Sequence, residues 1–182
     1  MNVRSLSIPD LKLIEPRVFG DERGFFIETW SERNFSEHGL ELNFLQDNLS
    51  RSARGILRGL HYQIRHPQGK LVRCTRGEVF DVAVDVRRSS PTFGRWEGVV
   101  LSEENKIALW VPPGFAHGFY VLSESADFQY KCTDIYSPEH ERTIAWNDPD
   151  LGVAWPVHEG TTPTLSEKDA IGTAFADAEV FD

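Results

Sequence analysis

The chain has 182 residues, of which 40% are hydrophobic and 26% charged, a length and composition that suit one soluble domain over residues 1–182 with a substantial core. Its formal net charge of −9 excludes a general nucleic-acid surface, because phosphate backbones demand a basic field, although a few local Arg and Lys side chains still suffice for one small anionic ligand. Two cysteines, Cys74 and Cys132, suggest neither a disulfide framework nor a zinc site, and are expected to be buried free thiols.

The N-terminal run MNVRSLSIPDLKLIEP holds no continuous apolar segment, so it is read as neither signal peptide nor membrane span, and a cytoplasmic location is expected. Beyond it, Pro and Gly separate short apolar runs at close intervals, the pattern of an all-β sandwich or barrel. A first strand is expected over residues 24–30. A helix follows over 31–38, with Ser31 as its cap and Gly39 as its left-handed stop. Strands are expected next at 45–48, 55–63 and Lys70–Arg76. The clearest strand spans 79–86, where Phe80, Val82, Val84 and Val86 share one face and Asp81, Ala83 and Asp85 the other. Further strands are expected at 95–101, 106–111, 116–121 and 126–136 and around 144–146. Ser166-Glu167-Lys168-Asp169 reads as a capped helical turn, and the terminal FADAEVFD is expected to lie against the outside of the barrel. The sum is one all-β unit of about ten strands with a few short helices.

Period-two alternation also selects the side chains that share a face. Gly59, His61 and Gln63 lie together, as do Gln46 with Asn48, and Phe26 with Glu28 and Trp30. Phe128, Tyr130, Cys132, Asp134 and Tyr136 form another such set. These faces mix aromatic with polar groups, which suits neither a solvated surface nor a dry core. A ligand cavity inside the barrel explains both. A lone His is most often a core residue with one hydrogen bond, but Arg58, Gln63 and Lys70 near His61 favour a site. The turn Pro112-x-Gly114-x-x-His117 fits a plain hairpin with a surface His equally well. Tyr130 inside a strand reads first as packing, though a phenol can donate a proton to a carbanion. Lys70 and Arg58 are solvated charges, or else they hold a phosphate or an enolate. Asp81, Asp85 and Asp169 are each able to orient a His, and spacing does not choose among them. Strict alternation points Arg58 away from His61, while Gly59 between them suits a bulge that would re-aim a side chain.

The runs VFGDERGFFIETW, FLQDNLSRSARGILRGLHYQ, QGKLVRCTRGEVFDVAVDVRRSSPTFGRW, LWVPPGFAHGFYVLSESADFQYKCTDIYSPEHERTIAWNDPDLGVAWP and LSEKDA, in that order and spacing, resemble the dTDP-4-dehydrorhamnose 3,5-epimerase family over about residues 3–180. The resemblance implies a cupin-type jelly-roll β-barrel and a homodimer that exchanges N-terminal strands. It implies epimerisation of a dTDP-4-keto-6-deoxyhexose at C3 and C5, without cofactor or metal, as a step toward dTDP-L-rhamnose. By the same resemblance His61 is the base, Asp169 its partner, Tyr130 the acid, and Lys70 the group near the ketone oxygen. Arg23, Phe26, Glu28, Gln46, Asp47, Asn48, Arg58, His117, Glu141 and Lys168 fall at substrate-binding positions. Tyr136 matches the aromatic that stacks on thymine.

The chemistry gives these types a reason. A carbon beside a ketone is acidic because its carbanion delocalises onto oxygen. Inverting it requires a base on one face and an acid on the other. Imidazole titrates near neutral pH and suits the base, a cation suits the enolate oxygen, and no dinucleotide fingerprint is present. Three other readings compete. A position-specific epimerase of one carbon would use the same residues. A metal-dependent cupin would need a second closely spaced His where this chain has Gln63, which leaves too few ligands. A non-catalytic sugar-nucleotide-binding protein is disfavoured by the intact His61, Asp169, Lys70 and Tyr130.

Overall fold

Alternating inside–outside runs need a partner sheet to bury their apolar face, and the chain supplies two. The computed structural model describes residues 1–157 and 160–182. Among these the strands are β1 (Asn2–Ser5), β2 (Lys12–Glu15), β3 (Val18–Asp21), β4 (Gly24–Ile27), β5 (Gln46–Ala53), β6 (Leu57–Gln63), β7 (Lys70–Arg76), β8 (Glu78–Asp85), β9 (Trp96–Ser102), β10 (Ala108–Val111), β11 (Phe115–Val121), β12 (Ser125–Cys132) and β13 (Glu141–Thr143). One six-stranded sheet runs β1-β2-β10-β7-β12-β5 and a five-stranded sheet runs β13-β6-β11-β8-β9, while β3 and β4 form a separate hairpin. All these pairings are antiparallel. The result is the jelly-roll barrel of cupin type that the sequence led us to expect. Among the described residues no helix is long and apolar enough to cross a membrane.

One core fills the base of the barrel, from Leu13, Val72, Val79, Leu101 and Leu109 to Phe119 and Phe128. A second coats the outer face of the five-stranded sheet, where Val82, Val84, Val86 and Tyr62 lie against Trp155, Phe175 and Phe181. The terminal segment therefore covers the barrel as expected, tied down by a bridge between Arg87 and Phe181. Both faces of β8 are thus buried. Its apolar face looks outward under the tail, and its Asp-bearing face looks into the barrel, the reverse of a simple apolar-inside strand.

The short helices form where their caps are. In α1 (Glu32–Ser36) the Ser31 side chain accepts from the Asn34 N–H, and Phe35 is buried against the outer face of the six-stranded sheet. In α2 (Glu167–Ala170) the Ser166 hydroxyl accepts from the Asp169 N–H, which satisfies one orphan donor of the first turn.

Several elements differ from the sequence reading. Strands β1 to β3 have four residues each, too short and too polar to stand out by periodicity. Strand β5 extends to Ala53, far past residue 48, because QDNLSRSA is paired along its whole length with β12; tertiary pairing overrides its weak intrinsic preference. Strand β12 stops at Cys132, not 136, as Thr133 N–H turns to the Gly69 carbonyl and Ile135 N–H to Asp134 Oδ1. Lys106 follows the turn at 103–105 with φ 57°, so β10 starts two residues later. The pairing expected at 144–146 is made by β13 against β6, with only an isolated bridge from Ile144 to Thr173.

The bulge anticipated at Gly59 is present. Against β11, His61 pairs with His117 but Arg58 with Phe119, so three steps on β6 match two on β11. The extra residue turns Arg58 onto the same face as His61. Gly59 has φ 126°, and a Cβ there would lie 2.6 Å from Gly118 Cα and 2.8 Å from the His117 carbonyl oxygen. Only glycine fits that approach.

Candidate active site

Between the sheets lies a cavity of about 500 Å³, a size suited to a small organic ligand. The six-stranded sheet lines it with Gln46, Asn48, Ser50, Lys70, Phe128 and Tyr130, and the five-stranded sheet with Arg58, His61, Gln63, His117 and Phe119. Tyr62, Gln68, Gly118, Tyr136, Glu141, Ser166, Lys168 and Asp169 complete its lining. Alternation put Gln46 and Asn48 inside. The same alternation puts Asp47 outside, where its carboxylate accepts from Lys131 at 2.7 Å.

Three other sequence candidates also lie away from this cavity. Arg23 and Phe26 sit on the β3–β4 hairpin in a separate, open groove with Phe19 and Phe25. Arg23 is 85% exposed and paired with Asp21, and Phe26 is 67% exposed. Glu28 follows the hairpin and accepts from Asn34 Nδ2. Conversely, Ser50, Gln68, Phe119 and Ser166 line the cavity without having been singled out as site residues. Ser50 continues the 46–48 alternation, and a longer reading of β5 would have found it.

His61 Nε2 lies 2.5 Å from Asp169 Oδ1. A carboxylate only accepts, so Nε2 carries the hydrogen and Nδ1 holds the free lone pair. Asp169 is 3% exposed. Burial alone would raise its pKa, but bonds from His61, Ser166 and the Gly59 N–H hold it below the ordinary carboxylate value. Of the three Asp candidates, Asp169 thus orients His61 and Asp81 orients His117, whose Nε2 is 3.0 and 2.9 Å from its two oxygens. Asp85 serves neither, and accepts instead from Arg87, Ser90 and Thr92.

His61 and His117 face each other across one strand pair, and His117 stacks on Phe128 with ring centroids 6.0 Å apart. It is buried in the cavity wall, not on a surface hairpin. Burial drives the Lys70 ammonium below its ordinary pKa, opposed by Cys132 and Glu141. Burial, with Cys132, raises that of the Tyr130 phenol, so it is held as a proton donor at neutral pH. Burial likewise raises Asp81, opposed by His117. The two cysteines are free thiols, both buried. At the mouth Lys168 Nζ donates to Glu141 at 2.8 Å and the Tyr136 hydroxyl to Glu141 at 3.0 Å. Arg58 Nε donates to Ser52 Oγ at 3.0 Å, which fixes the guanidinium at the wall. Among the described residues no group of three or more His, Cys, Asp or Glu side chains is placed to hold a metal ion.

Comparison with known proteins adds a context for this geometry. The family model described as dTDP-4-dehydrorhamnose 3,5-epimerase matches residues 5–177. A dTDP-4-dehydrorhamnose 3,5-epimerase of Pseudomonas aeruginosa is 63% identical over 182 residues, covering 100% of this chain and 99% of the relative. A crystal structure of the Legionella pneumophila dTDP-6-deoxy-D-glucose-3,5-epimerase, in complex with dTDP-4-keto-L-rhamnose, is similar at a TM-score of 0.94 and 54% identity, covering 98% of this chain and 94% of that one. A 3′-monoepimerase from Streptomyces bikiniensis, solved with dTDP-quinovose, is similar at a TM-score of 0.88 and 38% identity, covering 95% and 87%.

Proposed function

Since the chain belongs to the dTDP-4-dehydrorhamnose 3,5-epimerase family, we propose how its own residues carry out that isomerisation. The enzyme is an isomerase of rhamnose biosynthesis. The proposed reaction converts dTDP-4-dehydro-6-deoxy-D-glucose to dTDP-4-dehydro-L-rhamnose, with residues 1–182 acting as one epimerase domain and no cofactor or metal taking part.

One observation carries the mechanism. His61 and Tyr130 lie on opposite walls of one cavity, and inversion needs a base and an acid on opposite faces of the sugar. His61 Nδ1 takes the proton from the carbon, and the imidazolium so formed is stabilised by the buried Asp169. The electrons move onto the C4 oxygen, where Lys70 and His117 stabilise the enolate. Tyr130 returns a proton from the other face. C3 and C5 both flank C4, so one oxyanion site serves both carbons. Arg58 and Lys168 offer the positive charge for a diphosphate in an otherwise acidic protein. Tyr136 offers the aromatic face for the base, with Gln46, Asn48 and Glu141 beside it.

We further propose a homodimer that exchanges N-terminal strands, in which Arg23, Phe26 and Glu28 serve the partner's cavity. The exposure of Phe19, Phe25 and Phe26 on the hairpin, of Leu49 on the edge strand β5 and of Leu45 just before it, supports this reading. Asp47 contributes to substrate binding only through its place between Gln46 and Asn48.

Incubation with dTDP-4-dehydro-6-deoxy-D-glucose in deuterium oxide, with EDTA present, tests the function by NMR. Deuterium at both C3 and C5 is expected. The similarity to a 3′-monoepimerase keeps a one-carbon reading in view, and label at one carbon alone would establish that reading instead. No exchange until metal is restored would overturn the metal-free route.

A further inference from the structure

We propose that Gln63 is a positioning residue that sets nucleotide affinity by holding the backbone on both sides of Tyr136. It ends β6, two residues after His61 and on the same face, yet its amide is almost fully committed to backbone. Its Oε1 accepts from the Ser137 N–H at 2.9 Å, and its Nε2 donates to the Ile135 carbonyl at 3.3 Å and the His66 carbonyl at 2.8 Å. Both N–H donors are used, so the side chain has only a lone pair left for a ligand. Gln63 is 3% exposed, where leaving such groups unpaired is costly.

The bonds to Ile135 and Ser137 bracket Tyr136. Its own N–H is taken by Gln46 Oε1 at 2.8 Å. Residues 135–137 belong to no strand, since β12 ends at Cys132. Two glutamine amides therefore stand where a neighbouring strand would be, and they fix a segment that has no ladder of its own. The bond to the His66 carbonyl ties the loop after β6 into the same assembly, and Gln68 Nε2 adds a parallel tie to the Asp134 carbonyl at 2.8 Å. Tyr136 is half exposed at the mouth, where this bracket holds its backbone and a bond to Glu141 holds its hydroxyl. Two residues from the base on the same face, Gln63 thus serves the far end of the ligand, not the reacting carbons.

The proposal rests on reading Tyr136 as the aromatic that stacks on the base, and its test separates the two. Calorimetry would measure the dissociation constant of dTDP for wild type, Gln63→Met, Tyr136→Ala and the double variant. Methionine keeps the unbranched shape and removes all three bonds. Gln63→Met and Tyr136→Ala are each expected to weaken dTDP about tenfold, within the worth of one base stack. The double variant should be no weaker than Tyr136→Ala by more than about twofold, because the second change acts through the first. The kcat of Gln63→Met should stay within about threefold of wild type while KM rises with the dissociation constant. Unchanged dTDP binding in Tyr136→Ala would sink the stacking role and the proposal with it. Weakening in Tyr136→Ala but not in Gln63→Met would overturn the proposal and leave the stacking role standing. Additive losses, or a fall in kcat at constant affinity, would also overturn it, placing Gln63 on the ligand or on His61. If Gln63→Met does not fold, Gln63→Glu carries the same expectation, since it keeps the acceptor for Ser137 and turns an oxygen toward the two carbonyls.

Discussion

In the proposed mechanism His61 and Tyr130, on the two walls of one cavity, divide one reaction, so removing either should break it at a different step. Tyr130→Phe keeps the ring that packs 6.1 Å from Phe128 and deletes only the hydroxyl. His61 would still take the proton and return a solvent-derived one to the face it came from. We therefore expect deuterium to wash into the substrate while the inverted product falls by about a hundredfold or more, read in one NMR experiment. Equal loss of exchange and inversion would mean the phenol is needed before the enolate forms. Asp169→Asn should slow exchange itself by about 10³-fold or more, because an amide neither stabilises imidazolium nor enforces the same tautomer. The family resemblance singled out His61, Asp169, Lys70 and Tyr130, which the fold brings into one cavity, whereas spacing alone left Asp169 equivalent to Asp81 and Asp85. Asp81 was legible only as one of three equivalent carboxylates. Its partner His117 lies 36 residues away, and nothing local in either strand shows the pairing.

Elements, more than single side chains, decide which candidates enter the cavity. The β6–β11 bulge is an example, because it alone brings Arg58 beside His61. Gly59→Ala would place a methyl within 2.6 Å of Gly118 Cα at a backbone angle only glycine adopts readily. The strand must shift, and we expect a stability loss of about 2–4 kcal/mol and poorer nucleotide binding through Arg58, measured by denaturant melts and by dTDP titration. A neutral melt with full affinity would show that the two strands have slack there. Asp85 gives a second test at this scale, this time of pH. It is wholly buried and tied to Arg87, which also reaches Asp10 at 2.7 Å and lies over the Phe115 ring. Burial would raise its pKa, but bonds from Arg87, Ser90 and Thr92 lower it from 3.8 to about 2. A folded value below the unfolded one means stability that is present above pH 3.8 and lost as pH falls through about 2. That slope amounts to about 2 kcal/mol and should vanish in Asp85→Asn, whatever the variant's stability at neutral pH. Parallel acid limbs for the two proteins would refute it. Long alternating runs such as β7 and β8 were readable because their period is their fold. β5 was read too short, since a Ser- and Asn-rich strand takes its conformation from β12.

At the level of the whole molecule, the family resemblance assigns Arg23, Phe26 and Glu28 to the substrate, while the fold of one chain keeps all three out of the cavity, Arg23 and Phe26 in a different groove and Glu28 beside Asn34. No single sequence pattern reports such a separation, because period and spacing describe a strand and not which barrel it joins. Both statements hold together if the hairpin of one subunit closes the cavity of the other. Mixed subunits decide the matter. One variant, Arg23→Ala, spoils the hairpin and keeps His61; the other, His61→Ala, spoils the base and keeps the hairpin. Each alone should be nearly inactive. When they are unfolded together and refolded at equal amounts, about half of the dimers carry one of each, and each such dimer has one cavity with an intact His61 and an intact visiting Arg23. Activity should then recover to roughly a quarter of the wild-type value, because one cavity in four is whole. If the hairpin instead folds back over its own barrel, every mixed dimer has two broken cavities and no activity returns. A monomer in sedimentation would end the exchange reading outright, and would leave the exposed Phe19, Phe25 and Phe26 without a partner surface to explain them.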